Sequence, residues 1–374
     1  MQRRHPNLSV CISGRDYHLT TFEDVKDCRI PLRVINAVLN EDWACIVEDE
    51  LDKAIDLSIA PLVRAVLVQQ AGKTIFIFVA NHSISDGMSV ALVIRDILSV
   101  IAGQTMGNLS PIPSIDGIIG IEPIDNQSKN PTVHSEICEP VNRENTSIAY
   151  LRFSMELTKA IVKRSKLEQT TVHGALGAAL VAALTNDQMD KTPVRIMHPI
   201  SARKTLNMGE DFSLLINIVT SAYHTSSSDK FWDIAREVRQ SVAVTQNAEW
   251  IGSDTRAAQQ LFNSNLSLET IQQALAAGTS HEIMLTNLGE LAFETIFGPL
   301  QLLHLWGPMV LTPHLEARTV GVATFNGELT LTVTGRYESS VLLETVRKIL
   351  EKVCGSDVDH NIDALIDQPN VGRR

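Results

Sequence analysis

The densest apolar signal runs from Thr74 to Ile101, TIFIFVANHSISDGMSVALVIRDILSVI. Ile75, Phe76, Ile77, Phe78 and Val79 form a short β-branched and aromatic run after the turn signal Ala71-Gly72-Lys73. That run predicts a buried strand. Val90, Val93, Ile97 and Ile101 then recur three and four apart, with Leu92, Ile94 and Leu98 at their sides, which predicts a mostly buried helix. The turn between them holds Asn81-His82-Ser83-Ile84-Ser85-Asp86-Gly87. Ser85 or Asp86 is placed to cap the helix, and Gly87 permits a sharp path into it that a Cβ would hinder. His82 therefore stands at the carboxyl end of a strand, where open sheets place their ligands.

Elsewhere the pattern alternates between strands and helices. Leu8–Ser13 and Tyr17–Thr20 suggest a hairpin around Gly14-Arg15-Asp16. Asp56–Val68 holds a proline-led strand expected to pair with Thr74–Ala80. From Gly103 to Ser147 five prolines punctuate a polar stretch, which reads as a linker. Strands follow at Tyr150–Met155, Pro193–Pro199, Asp211–Tyr223, Glu282–Leu285, Leu300–Leu305 and Val320–Phe325. Asn326-Gly327, the strongest short hairpin signal, joins the last of these to Glu328–Thr334. There Leu329, Leu331 and Val333 face one way and Thr330, Thr332 and Thr334 the other. Helices are expected at Glu156–Leu167, Thr171–Leu184, Phe231–Ala248, Leu266–Ala277 and Ser339–Val353. The small residues of Thr171–Leu184 suit close packing, and His173 in its first turn reads as core or cap, with no pairing partner evident. The organisation expected is residues 1–110, a linker 111–147, a second half 148–355 and a mobile tail 356–374.

Composition narrows the function. The chain has 374 residues, enough for two domains, and 44% hydrophobic against 20% charged residues suits a globular protein with ample core. A net charge of −11 argues against nucleic acid, whose binding depends on neutralising phosphates. Five scattered cysteines show neither a metal-ligand spacing nor a paired framework, which suits a reducing cytosol. No apolar run reaches the ~20 residues that span a bilayer, and MQRRHPNLSV lacks the apolar core of a signal peptide. A cytoplasmic protein is expected, with no metal.

A His four residues before an Asp is weak alone, since a satisfied structural His fits it as well. His82 is the only one of the eleven histidines with Asp four residues on, and a strand runs into it while a Gly and a buried helix leave it. In that setting the stretch resembles the HHxxxDG signature of the CoA-dependent acyltransferase superfamily, which holds chloramphenicol acetyltransferases, BAHD acyltransferases, condensation domains and polyketide-associated acyltransferases. His82, Asp86 and Gly87 match, while Asn81 replaces the first His, which argues against a standard peptide-bond-forming condensation domain. Three further phrases resemble family segments: Arg3–Leu8 the "RHP-x-L" element, Asp56–Leu67 the stretch before the motif, and Thr286-Asn287-Leu288-Gly289 an "S/T-N-x-G" element. Trp306-Gly307-Pro308 resembles a fourth, though a core Trp before a turn explains it too. In relatives a strand and a helix precede the "RHP-x-L" segment, so a short family member or a missing first strand and helix is expected.

The resemblance implies an α+β, α/β sandwich fold, with two chloramphenicol acetyltransferase-like halves around a central tunnel. It implies His82 as general base of an acyl transfer from acyl-CoA or an acyl carrier protein's phosphopantetheine thioester to a hydroxyl or amine acceptor, with no permanently bound cofactor. Histidine's reference pKa, about 6.5, leaves an imidazole mostly neutral near pH 7. Asp86 is implied as a structural support that pairs with an arginine, for which Arg203 and Arg4 both stand open. Thr286 or Asn287 is a candidate oxyanion donor, a role worth about 3 kcal/mol, or else part of a turn. For an anionic donor the chain must gather local positive charge. Lys159, Lys163, Arg164 and Lys166 on one helix read as a solvated face, so Arg203 and Lys204 after a strand are the expected donor contacts. A monomer is expected. Two other classes stand beside this: a non-catalytic docking module of an assembly line, and a hydrolase using Ser83 or Ser85, neither of which lies in a G-x-S-x-G elbow.

Overall fold

The computed structural model describes residues 1–14, 20–36, 42–121, 146–185, 192–224, 230–264 and 266–355. The first half runs β1 (Val10–Ser13), β2 (Thr21–Asp24), β3 (Leu32–Asn36), α1 (Trp43–Asp52), β4 (Val63–Gln70), β5 (Lys73–Ala80), α2 (Gly87–Ile101) and a single turn α3 (Ile115–Ile118). The second half opens with β6 (Ser147–Arg152), α4 (Met155–Leu167), α5 (Val172–Thr185), β7 (Val194–Ser201), β8 (Ile216–Tyr223), α6 (Phe231–Ala243), α7 (Ala248–Asn263) and α8 (Leu268–Gly278). It closes with β9 (Ile283–Leu291), β10 (Ile296–Phe297), β11 (Leu300–Gln301), β12 (Arg318–Phe325), β13 (Glu328–Gly335) and α9 (Ser340–Gly355).

Two sheets of unequal size organise the chain. β3, β4 and β5 form a three-stranded sheet, with β4 and β5 an antiparallel hairpin from Val63↔Ala80 to Gln70↔Lys73. This is the pairing expected of the proline-led strand. The larger sheet runs β6-β13-β12-β9-β7-β8, parallel at β12–β9 and β9–β7 and antiparallel elsewhere. Its main core joins one sheet face to α5, α6 and α9. α5 is buried all round from Gly174 to Ala183, because Gly174 and Gly177 let it approach α6: a Cβ at Gly174 would lie 2.4 Å from the Ala235 carbonyl oxygen.

The polar pattern misleads at β13. Alternation suggests an apolar face and a threonine face, yet both are buried. The threonine face lies beneath the segment 302–311, with the Thr330 hydroxyl donating to the Leu305 carbonyl at 2.7 Å. Thr332 Oγ1 lies 3.4 Å from the Gly321 carbonyl, and a hydroxyl satisfied by a backbone carbonyl can be buried at little cost; among the described residues the Thr334 hydroxyl is buried without such a partner.

Other departures are local. The partner of Val10–Ser13 is Thr21–Asp24, later in the chain than the expected hairpin, whose residues 15–19 lie outside the described residues. The long helix expected from Phe231 stops at Ala243, and a separate helix, α7, follows. Of Leu300–Leu305 only Leu300–Gln301 is a strand. β3 and α1 carry no signal that the hydrophobic pattern singled out. The linker falls largely on 122–145 and the tail on 356–374, both outside the described residues.

Candidate active site

Between the halves lies a cavity of about 2620 Å³, with walls from β5 and α2 on one side and Leu288, Leu291 and the segment 299–311 on the other. His82 lines it and is exposed to it. The His82 Nδ1 sits 2.7 Å from the Ser85 carbonyl oxygen. A carbonyl can only accept, so Nδ1 carries the proton and Nε2 is left with its lone pair. The loop that sets this geometry is tightly bonded. The Asn81 backbone N–H donates to Leu62 O, and the Asn81 side-chain carbonyl accepts from the Ser83 N–H at 3.0 Å. Asn81, in place of a first His, thus closes an Asx turn.

Asp86 performs no visible chemistry, because its oxygens are occupied. Oδ1 accepts from the Ser89 N–H at 2.8 Å and the Ser89 hydroxyl at 2.9 Å, closing a capping box on α2. Oδ2 accepts from Arg203 Nη1 at 2.6 Å and the Leu215 N–H at 2.9 Å. Asp86 is 4% exposed and Arg203 8%. Of the two candidate partners, Arg203 takes the place, so the loop bearing His82 is tied directly to the second half. Arg4 instead bonds Asp96 through Nε at 2.6 Å, beside His5 and Arg95, with Glu210 completing the cluster. Burial pushes the Asp96 carboxyl up, but the bonds from His5, Arg4 and Arg95 outweigh it and hold it well below the usual range. This is where the "RHP-x-L" segment goes, with His5 buried.

Gly87 is required for space. Its Cβ would fall 2.3 Å from Pro308 Cγ and 3.1 Å from Leu288 Cδ2. The same proline segment presses on the sheet, where a Cβ at Gly321 would meet Pro308 O at 1.9 Å. Two glycines from different halves therefore grip one loop, close beside His82.

Several expected contacts take other positions. Arg203 Nη2 reaches the Asp211 and Ser213 carbonyls, and the side chain is buried, so its guanidinium is turned inward and not toward a donor phosphate. Lys204 is exposed and does not line the cavity. Nor do Thr286 and Asn287; the Asn287 side-chain carbonyl accepts from the Gly289 N–H at 2.7 Å, as the turn reading has it. Gly289 is at φ +74°, where the β9–β12 register breaks between Val322 and Thr324. Ser85 is buried, with its hydroxyl donating to Asn81 O, and the Ser83 hydroxyl is buried without a partner; neither bonds His82. His173 does have a partner: its Nε2 lies 2.9 Å from His198 Nδ1.

The cavity also has an aromatic corner that pattern reading passed over. Trp43, Tyr150 and Trp306 come from α1, β6 and the proline loop, with ring centroids 4.7, 5.6 and 5.3 Å apart. His304 stands beside Trp306; its Nδ1 faces Glu328 at 3.3 Å and its Nε2 accepts from Arg152 at 3.2 Å. Burial and the Arg152 charge push His304 down. The Trp306-Gly307-Pro308 phrase was the available signal for half of this corner; nothing local marked Trp43 or Tyr150.

Residues 142–334, just over half of the chain, match the family model described as phthiocerol/phthiodiolone dimycocerosyl transferase C-terminus. The chain belongs to that family. This agrees with the resemblance of its motif and places it in the CoA-dependent acyltransferase and condensation-domain superfamily. The likeness of fold extends over both halves. The chain is similar to polyketide synthase associated protein 5 from Mycobacterium tuberculosis, with 14% identity, TM-score 0.64, and coverage of 94% of this chain and 88% of that one. The first condensation domain of the CDA synthetase gives 12%, 0.61, 97% and 87%. The epimerization domain TycB3(E) of tyrocidine synthetase B gives 15%, 0.60, 94% and 86%. Tyrocidine synthase 3 of Brevibacillus parabrevis is 36% identical over 112 residues, 29% of this chain and only 2% of that protein's length. The two-lobed fold with a cavity between halves is thus the one expected. Among the described residues no helix is long and apolar enough to cross a membrane, and no cluster of three or more metal-ligating side chains forms.

Proposed function

We propose that the protein is an acyltransferase that moves an acyl group from a thioester, on CoA or a carrier protein, to a hydroxyl or amine of a small acceptor. The observation that carries this reading is the bond from His82 Nδ1 to Ser85 O, which in the neutral imidazole puts the lone pair on Nε2, with His82 at the wall of a cavity shared by both halves. Nε2 takes the acceptor's proton while the acceptor oxygen or nitrogen bonds to the thioester carbonyl carbon. The tetrahedral intermediate collapses, the C–S bond breaks, and the imidazolium returns its proton to the departing thiolate. Nothing else is consumed, and no acyl-enzyme forms. Asp86, through Arg203 and Leu215, positions the His82 loop, and Gly87 admits Pro308 beside it.

The size of the cavity supports two substrates at once, since a drug-sized ligand needs only ~300–1,000 Å³. Neither the Ser83 nor the Ser85 hydroxyl bonds the His82 ring, which weakens the hydrolase alternative. A monomer acting in the cytoplasm suits the acidic chain. The test is mass spectrometry of products from purified protein given mixed acyl-CoAs, small alcohols and amines. Ester or amide products that vanish in His82→Ala are expected. A variant that keeps more than half the rate would remove His82 from the mechanism, and no product with any pair would favour the docking-module alternative.

A further inference from the structure

Ser89 lies in the first turn of α2, wholly buried, and the proposed transfer gives it no part. Its hydroxyl is nonetheless fully engaged. Oγ accepts from the Asp86 backbone N–H at 2.9 Å, and Arg203 Nη2 approaches it to 3.3 Å. Three oxygens surround its one proton: Asp86 Oδ1 at 2.9 Å, Asp86 O at 3.1 Å and Ser213 O at 2.9 Å. A hydroxyl accepts twice and donates once, so these contacts use all that Ser89 has.

The Asp86 N–H and the Ser85 carbonyl belong to one peptide group, which is planar and stiff. Its oxygen accepts from His82 Nδ1 at 2.7 Å, and its N–H donates to Ser89 Oγ. The plane is therefore pinned at both ends, by the imidazole and by the serine. Pinned at one end alone, it could tilt about the flanking dihedrals and carry its carbonyl off the ring. The bonds also run in one direction: from His82 Nδ1 to Ser85 O, from Asp86 N to Ser89 Oγ, and from Ser89 Oγ to Asp86 Oδ1 or Ser213 O. Either end is anchored in the second half, since Ser213 belongs to it and Asp86 is bound to its Arg203 at 2.6 Å. Ser85, Asp86 and Ser89 are all buried, and hydrogen bonds chained in such surroundings polarise one another.

Capping α2 does not by itself call for this residue. A capping box needs an acceptor at the third helical position, usually Glu or Gln. A Glu carboxylate there would accept from the Asp86 N–H but would have no proton to pass on. A hydroxyl does both.

From these contacts we infer that Ser89 is a positioning residue for His82: it fixes the Ser85–Asp86 peptide plane, whose carbonyl holds the imidazole with its proton on Nδ1, and it ties that plane to the second half. The inference rests on the reading of His82 as the base and deepens it. When Nε2 takes the acceptor's proton, the charge on the ring leans on the whole chain of bonds through Ser89.

The test reads the ring nitrogens directly. The full-length protein is made with isotope-labelled histidine, and the nitrogen shifts of its imidazoles are recorded at about pH 8.5, where an ordinary histidine is neutral. The signals that vanish in His82→Ala are those of His82. The wild type is expected to carry the proton on Nδ1. Ser89→Ala should move the tautomer ratio toward the Nε2-protonated form by about tenfold, the worth of one buried hydrogen bond, and lower turnover with the Michaelis constant unchanged. Ser89→Thr keeps the hydroxyl and should keep the wild-type pattern. Unchanged His173 and His198 signals report an intact fold in each variant. Should Ser89→Ala fail to fold, Ser89→Cys, close in size and only a weak acceptor, takes its place under the same outcomes. An unchanged tautomer ratio overturns the proposal and leaves Ser89 a helix cap alone; so does a wild type that carries the proton on Nε2. The spectra read no acyl transfer, so a shifted ratio in a protein that yields no product from any substrate pair would uphold the positioning while the proposed reaction fails.

Discussion

His82 and the pair His173–His198 are histidines in opposite circumstances. His82 spends Nδ1 on a backbone carbonyl and keeps Nε2 open to a cavity. His198 spends both nitrogens, on His173 Nε2 at 2.9 Å and on the Tyr223 hydroxyl at 3.0 Å, and is wholly buried. Burial pushes His173 down to about 4; burial and the His173 charge push His198 down to about 2. The first has, among the described residues, a ring nitrogen without a protein partner; the second is a strut between α5, β7 and β8. A histidine becomes available for chemistry when its environment satisfies one nitrogen and neglects the other.

The sharpest way to break this contrast is to exchange the two fates. His82→Ala should lower turnover about 10²–10⁴-fold with an unchanged melting temperature. His173→Gln should leave turnover within about twofold, because nothing near it meets substrate in the proposed reaction. Steady-state kinetics on both variants checks this, and equal losses would erase the distinction.

The next largest effect concerns what holds the His82 loop. Asp86→Ala leaves Arg203 buried without its carboxylate and the Leu215 N–H unpaired, at a cost of about 3–5 kcal/mol. Denaturant unfolding should show that loss; full stability with lost activity would instead give Asp86 a direct part in chemistry. Gly87→Ala drives a methyl against Pro308 and should cost about 1–3 kcal/mol by overpacking. Calorimetric melting measures it, and a neutral result would mean that the proline loop yields freely.

Acid should weaken the buried His173–His198 pair. The folded pKa of His173 lies below its ordinary 6.5, so the unfolded chain binds more protons across that interval. The stability it lends is whole above about pH 6.5 and drains as pH falls toward 4. Urea midpoints should therefore drop over that window in the wild type and drop less in His173→Gln. Smallest of all is Lys204→Glu: lying away from the cavity, it should leave the Michaelis constant for the thioester within about twofold.

Where a signal was periodic or a motif contiguous, it could be read directly. The strand, loop and helix from Thr74 to Ile101 form where their side-chain spacing places them, though no residue of β5 is buried because that strand lines the cavity, and of the two candidate caps Asp86 takes the place. Sites assembled from distant pieces were harder. Arg203 and Arg4 are equally plausible partners of Asp86 until the fold brings Arg203 and the Leu215 N–H to the same oxygen. Arg203 and Lys204 are neighbours along the chain, yet one is turned inward and the other outward, since successive residues leave the backbone in different directions. His173 had no visible partner because His198 lies 25 residues away on another element.

What the chain's order of residues determined by itself is local: which segments coil or extend, where α2 begins, and which histidine precedes an Asp and a Gly after an apolar strand. These follow from dihedral preference, periodicity and short-range hydrogen bonds. What only the tertiary structure decided is which side chains share a space: Trp43 with Tyr150 and Trp306, Asp86 with Arg203, Gly87 and Gly321 about one proline. Such meetings depend on how two sheets pack, and packing is settled by the joint burial of many residues at once, which no single stretch of sequence records.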